Sequence, residues 1–456
     1  MIFLTVFYKI MKKFKRKHYF WFRRDLRLED NCGLWEALNY AKQEESEICL
    51  IFIFDTAILD KLKDKKDLRV QFIYQNLARI NQELMGHQAS IRIEHGETQL
   101  IWQQIIGDER PNAIFCNEDY EDEAVKRDQK IKELIEESGG SFHTYKDQVL
   151  FANREVCKAN GENYLVFTPY KKTWLKKMES EGIPNYPSES LVELIGRAQE
   201  TFPSLASIGF EASDFQYPSK VINTQALKDY DQTRDFPALQ NGSSHLGIHL
   251  RFGTISPRQV IDSACHCNET WLSELIWREF FMSLLSLKPK LPEEEFKSKY
   301  SAIPWKHDEN LFQLWCQGKT GYPIVDAGMR QLNTTGFMHN RVRMITASFL
   351  VKHLLIDWRW GERYFKEKLL DYDQSANVGN WQWVAGCGAD AAPYFRIFNP
   401  SAQTKKFDQD YEYIRRWVPE FGTNKYPEPI IDHSFARQRC ISTFKTSLQQ
   451  NMDSSS

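Results

Sequence analysis

ICLIFIF, residues 48–54, is an unbroken apolar run between the charged stretch EESE and Asp55. A strand with one wet face alternates polar and apolar residues. A short continuous run fits a strand buried on both faces, as in the middle of a parallel sheet. HYFWF (18–22), SIRIEHG (90–96), AIFCNED (113–119) and SFHTY (141–145) have similar strand character. Segments of helical periodicity lie between them, near Trp35, through Phe72 and Leu77, and in the charged run before residue 141. This βαβα order predicts a Rossmann-like parallel sheet, covered by helices on both faces, over about 18–150. No GxGxxG follows the first strand, so the dinucleotide fingerprint is missing, and any small ligand at the strand ends is unidentified.

The chain has 456 residues, more than one hydrophobic core usually organises. Lysine plus arginine number 59 against 61 aspartates and glutamates, so no global field draws the protein to a polyanion and any such contact needs a local patch. The nine cysteines are scattered, and Cys265-His266-Cys267 lacks a second ligand pair, which argues against zinc and for free thiols in a reducing compartment. The opening MIFLTVFYKIMKKFKRKHY places its apolar run before its basic run and is too short to span a bilayer, so Met11 is an alternative start.

Residues 151–219, rich in Pro, Ser and Gly with weak periodicity, are expected to form a linker. Beyond them, NETWLSELIWREFFMSLLSL and MRQLNTTGFMHNRVRMITASFLVKHLLIDW repeat apolar residues at helical spacing, predicting an all-helical domain over 220–440 and a short tail over 441–456.

The stretch DYDQSANVGNWQWVAGCGADAAPYFRIFNP (371–400) sets Asp371, Asp373, Ser375 and Asn377 at alternate positions, like oxygen ligands in an EF-hand. The sixth and twelfth positions are Ala376 and Gln382 rather than Gly and Glu, which argues against calcium. Nine of the thirteen tryptophans lie after residue 270, a surplus suited to stacking on flat ligands, cation–π contacts or electron hopping. Trp381 and Trp383, two apart, point to different sides of a helix. Asp371 and Arg343 make a plausible clamp beside a polar cofactor. Glu274, Trp277 and Arg278 place an acid and an indole one turn apart, and His339, Asn340, Arg341 and Arg343 form a basic cluster beside Met344.

Together these blocks resemble the photolyase and cryptochrome flavoproteins, most closely the class I cyclobutane pyrimidine dimer photolyases. The resemblance runs through WFRRDLRLEDN (21–31), RDFPALQNGSSHLGIHLRFGTISPRQ (234–259), WLSELIWREFF (271–281), the long block 318–365 and the stretch 371–400. It implies an antenna domain followed by a helical domain that holds FAD in a folded form, active when reduced, which needs no glycine fingerprint. Tyr230, Ser243, Ser244, His245, Leu246 and Gly247 match the phosphate-binding part. Asp371, Tyr372 and Asp373, with Arg343 on Asp371, match the flavin and ribose contacts, and Asn377 the residue against the flavin's reactive nitrogen. Trp381, Trp358 and Trp305 match the relay that carries electrons to oxidised flavin.

Trp277 and Trp383 match the walls around a flipped pyrimidine dimer, and Glu274 the carboxyl that bonds it. Arg278, Asn340, Arg341 and Met344 match its surroundings, and Arg234 and Gln403 backbone contacts to DNA. The implied activity is light-driven splitting of pyrimidine dimers by a monomeric, cytoplasmic protein without metal or membrane; the alternative is a cryptochrome-type receptor. The (6-4) enzymes carry adjacent histidines where Met338-His339-Asn340 stands here, which argues against that lesion. The antenna pigment, folate, deazaflavin, another or none, stays open.

Overall fold

The computed structural model describes residues 17–197 and 201–453; the question of Met11 lies outside the described residues. Packing divides the chain. Among the described residues, those up to Leu150, with those of Gly182–Lys220 and His249–Asp262, form one compact unit, and Phe151–Glu181, Val221–Ile248 and those from Ser263 onward form a second.

In the first unit the predicted runs become β1 (Lys17–Phe22), β2 (Glu47–Asp55), β3 (Ile91–Gly96), β4 (Ala113–Asn117) and β5 (Ser141–Tyr145), paired in the order β3-β2-β1-β4-β5. Every pairing is parallel, with Phe20 opposite Leu50 and Phe115. The intervening helices are α1 (Cys32–Gln43), α2 (Leu68–Met85), α3 (Thr98–Glu109) and α4 (Asp122–Glu137). Strands β1 and β4 are buried over most of their length, which is why their sequences are apolar without alternation.

Strand order reverses between β1 and β4, where α/β sheets open a crevice for ligands. Here the crevice is filled by the chain itself. Asn117 at the end of β4 donates to Asp25 at 2.6 Å and Asn31 at 2.8 Å, and accepts the Gly33 N–H at 2.8 Å. A Cβ on Gly33 would stand 2.6 Å from the Asn117 oxygen, so the start of α1 requires glycine.

The stretch 151–219 differs from the expected linker. It contributes α5 (Phe167–Glu181) to the second unit and a 3₁₀ turn, Ser188–Leu194, to the first. Its later part is held to the first unit by Tyr217, whose hydroxyl donates to the Leu68 carbonyl at 2.6 Å, and by Gln71, whose amide donates to the Ser213 carbonyl at 2.9 Å. Proline and serine there mark backbone bound through side chains rather than free chain.

The second unit is helical, with α6 (Glu269–Leu287), α7 (Pro323–Thr335), α8 (Asn340–Ser348), α9 (Trp358–Lys368), α10 (Gln374–Ala385), α11 (Pro400–Phe407) and α12 (His433–Asp453) among its elements. A π-helical turn, Phe349–Leu354, continues α8 and ends at Leu355 in the left-handed region. Within it Lys352 is buried and donates to the Ala385 carbonyl at 2.8 Å, bonding one of the orphan carbonyls at the end of α10; burial pushes its ammonium down to about 8. The expected tail continues α12, because Cys440 and Phe444, four apart, put a buried face on the core.

Candidate functional site

α10 carries the stretch that looked like a cation loop. Asp373 is its N-cap, accepting the Ala376 N–H at 3.1 Å and the Ser375 hydroxyl, so the alternating oxygens begin a helix. Asp371, just before it, accepts from one terminal nitrogen of the Arg343 guanidinium with both carboxylate oxygens, at 2.8 and 3.0 Å, while the Arg343 Nε donates to the Met338 carbonyl at 2.7 Å. The predicted clamp is present.

These groups open onto a cavity of about 340 Å³ between α6, α8, α9 and α10. Of the residues singled out from sequence, Arg234, Glu274, Trp277, Arg278, Asn340, Arg343, Met344, Asp371, Tyr372, Asp373, Asn377, Trp381 and Trp383 line it. Tyr230, the run Ser243, Ser244, His245, Leu246 and Gly247, and Arg341, Gln403, Trp305 and Trp358 do not. Gly247 nevertheless abuts the clamp. A Cβ there would lie 2.6 Å from Asp371 Oδ2.

Glu274 pairs with Arg234 from the neighbouring segment, yet burial outweighs that charge and pushes its carboxyl up from the ordinary range. Trp277 stacks on Phe167 of α5, ring centroids 3.7 Å apart. Trp381 is buried, with its ring edge-on to Phe365 at 5.0 Å and Trp315 at 6.2 Å, and Trp383 is half-buried. A Cβ on Gly361 would lie 2.1 Å from the Trp381 ring, so α9 must present a glycine to seat that indole. Trp358, at the first turn of α9, is fully buried beneath the Arg359 guanidinium, and Trp305 is edge-on to Phe444 at 5.8 Å.

The basic cluster is less basic than its sequence. His339 caps α8 with its ring, and burial lowers it to about 4, so it is neutral. Arg341 pairs with Asp235 at 2.7 Å and lies over the Phe407 ring. Gln403 on α11 buries its amide oxygen without a partner.

Sequence reasoning missed Glu362. It occupies the buried face of α9 with Trp358, Gly361 and Phe365, and an acid at such a spacing was the available signal. Its Oε1 accepts the Asn377 amide at 3.0 Å and the Tyr372 hydroxyl at 3.2 Å, and burial pushes its carboxyl up. Phe281 and Phe365, which also line the cavity, were missed as ordinary apolar positions.

The family profile described as DNA photolyase matches residues 19–188, and that described as the FAD binding domain of DNA photolyase matches residues 271–425. The deoxyribodipyrimidine photo-lyase of Vibrio cholerae is 36% identical over 470 aligned residues, covering 93% of this chain and 98% of that protein. A bacterial class III photolyase structure from Agrobacterium tumefaciens superposes with a TM-score of 0.81 at 31% identity, over 95% of this chain and 98% of that one. An archaeal photolyase from Sulfolobus tokodaii, described with two FAD molecules and a novel light-harvesting cofactor, gives 0.79 at 32% identity, over 94% and 100%. With the two-unit fold and a cavity assembled from the same motif blocks, the chain belongs to the DNA photolyase family.

Proposed function

We propose that this chain repairs DNA by splitting cyclobutane pyrimidine dimers under light, and that it does so as a class I enzyme with FAD in its helical unit. The observation that carries the reading is one cavity shared by two sets of residues: Asp371, Asp373 and Asn377 on the cofactor side, and Glu274, Trp277, Asn340, Met344 and Trp383 on the lesion side. The first set fits a flavin dinucleotide. Asn377 gives both of its amide contacts to Glu362, which leaves its carbonyl oxygen to accept from a flavin N–H. The missing side chain at Gly247 lets its backbone pack against Asp371, so that the glycine helps to seat the carboxylate on the cofactor side.

The chemistry that FAD supplies when bound and reduced is the photoexcited transfer of one electron that opens the cyclobutane ring, with its return afterwards. The protein's part is orientation and electrostatics. Trp277 and Trp383 would pack on an extruded dimer, whose damaged stacking lowers the cost of flipping, the route by which photolyases as a class reach a target inside a duplex. Glu274, whose carboxyl burial pushes up against the opposing Arg234 charge, would bond a dimer carbonyl as negative charge builds there. Arg234 and Gln403 would contact the DNA backbone. Trp381, Trp358 and Trp305 would pass electrons inward when the cofactor is oxidised. The protein would act as a cytoplasmic monomer; among the described residues no helix is long and apolar enough to cross a membrane. A second, light-harvesting pigment, as the Sulfolobus protein's description suggests for that protein, would be identified here by extraction and absorption spectroscopy.

The deciding experiment is loss of thymine dimers from irradiated DNA. Loss in the light and none in the dark is expected; flavin-loaded protein that leaves dimers intact in both would overturn the reading in favour of a cryptochrome-type receptor.

A further inference from the structure

The Gly-Ala-rich end of the 371–400 stretch has no part in the cavity lining, yet it is tied to it. Asp390, in the left-handed region at φ 48°, accepts the backbone N–H of Phe167 at 3.2 Å, at the first residue of α5. The Phe167 ring lies flat on Trp277, with centroids 3.7 Å apart and planes 8° apart. Phe280 meets both rings edge-on, at 5.8 Å from Phe167 and 5.5 Å from Trp277, and Phe281 borders the indole at 5.4 Å. A half-buried tryptophan on a helix ordinarily samples several rotamers; this one is boxed before any ligand arrives.

We propose that Phe167, anchored by Asp390, is a positioning residue that sets the plane of the Trp277 indole against which an extruded pyrimidine pair packs. This rests on the reading of Trp277 as a wall of the lesion site. Holding the wall in place removes an ordering cost at binding, so the device acts on affinity for the lesion rather than on the photochemical yield once the lesion is seated.

The test uses the full-length, flavin-loaded protein and two oligonucleotide duplexes, one containing a single thymine dimer and one undamaged. Phe167→Leu keeps bulk without a flat ring. Asp390→Ala removes the anchor at an exposed position, where the left-handed backbone adds a small local cost and flavin content reports on the fold. Both are expected to lower the preference for damaged DNA by about three- to tenfold, the size of an aromatic pair, while flavin content and repair per photon at saturating DNA stay as in the parent protein. Phe167→Leu should add nothing in a Trp277→Leu background. If Trp277→Leu itself leaves the preference intact, the wall assignment fails and this inference with it. If Trp277→Leu lowers the preference but neither Phe167→Leu nor Asp390→Ala does, the inference alone fails. An undiminished effect of Phe167→Leu in the Trp277→Leu background also overturns it.

Discussion

Asn377 is oriented by Glu362: its side-chain amide donates to the Glu362 carboxylate at 3.0 Å and to the Glu362 backbone carbonyl at 3.2 Å. Both amide contacts of Asn377 thus fall on Glu362, beside the cavity that Asn377 lines. Glu362→Ala should cost about 1–3 kcal/mol of stability in denaturant unfolding, the range for a buried charged hydrogen bond, and should release the asparagine. Glu362→Gln retains an acceptor and should lose less than half as much. Equal losses would mean that the acceptor retained in Glu362→Gln does not hold the asparagine.

Gly247 and Arg343 bear on Asp371 from two directions, so their variants should share a phenotype. Gly247→Ala would drive a methyl group to 2.6 Å from the carboxylate, and Arg343→Lys would lose the guanidinium's simultaneous hold on Asp371 and the Met338 carbonyl. Each should lower flavin retention after dialysis about fivefold or more, while far-ultraviolet circular dichroism stays unchanged. Full retention in both would separate Asp371 from cofactor binding.

Arg234 holds one oxygen of Glu274, and on the proposed reading the other would meet the lesion. Glu274→Ala should reduce repair per absorbed photon about tenfold, the equivalent of one hydrogen bond of about 1.4 kcal/mol, with flavin bound normally. Glu274→Gln, still a donor, should lie between. Unchanged repair per photon in Glu274→Ala would remove the carboxyl from the mechanism.

How far the sequence speaks follows from the kind of interaction. The sheet was legible because burial on both faces leaves strands such as ICLIFIF no room for polar residues. The Asp371–Arg343 clamp was legible from its motif blocks. The course of residues 151–219 was not, since side-chain-to-backbone bonds such as Tyr217 to Leu68 leave no periodicity. The role of Asp373 was obscured for a related reason: capping and cation binding call for the same oxygen-rich residues. The neutrality of His339 depends on burial by distant segments, which local sequence does not carry.

Trp381 sits where the flavin side of the cavity meets the aromatic interior of the helical unit, against Phe365 and Trp315 and seated by Gly361. Phenylalanine fills most of that space but is far harder to oxidise. Trp381→Phe should therefore abolish photoreduction of oxidised flavin under blue light with an external thiol present, followed by visible absorption. Repair by chemically reduced protein should persist. Normal photoreduction in the variant would place electron entry elsewhere.

His339 gives the fold an acid limit. Its Nδ1 accepts the Arg341 N–H at 3.2 Å, which only an unprotonated ring can do. Burial lowers it from the ordinary 6.5 to about 4; Asp235 opposes the shift, and the guanidiniums of Arg343 and Arg341 add to it. Because the folded value lies below the unfolded one, this group's stabilisation is complete above pH 6.5 and is lost as the pH falls toward 4, up to about 3 kcal/mol. His353, lowered to about 3 by burial, acts in the same direction and stays in place in any His339 variant. His339→Asn keeps a capping oxygen and cannot titrate. The fall in Tm between pH 6.5 and 4 should be shallower in His339→Asn than in the parent protein. Parallel curves would mean that the buried imidazole does not set this limit.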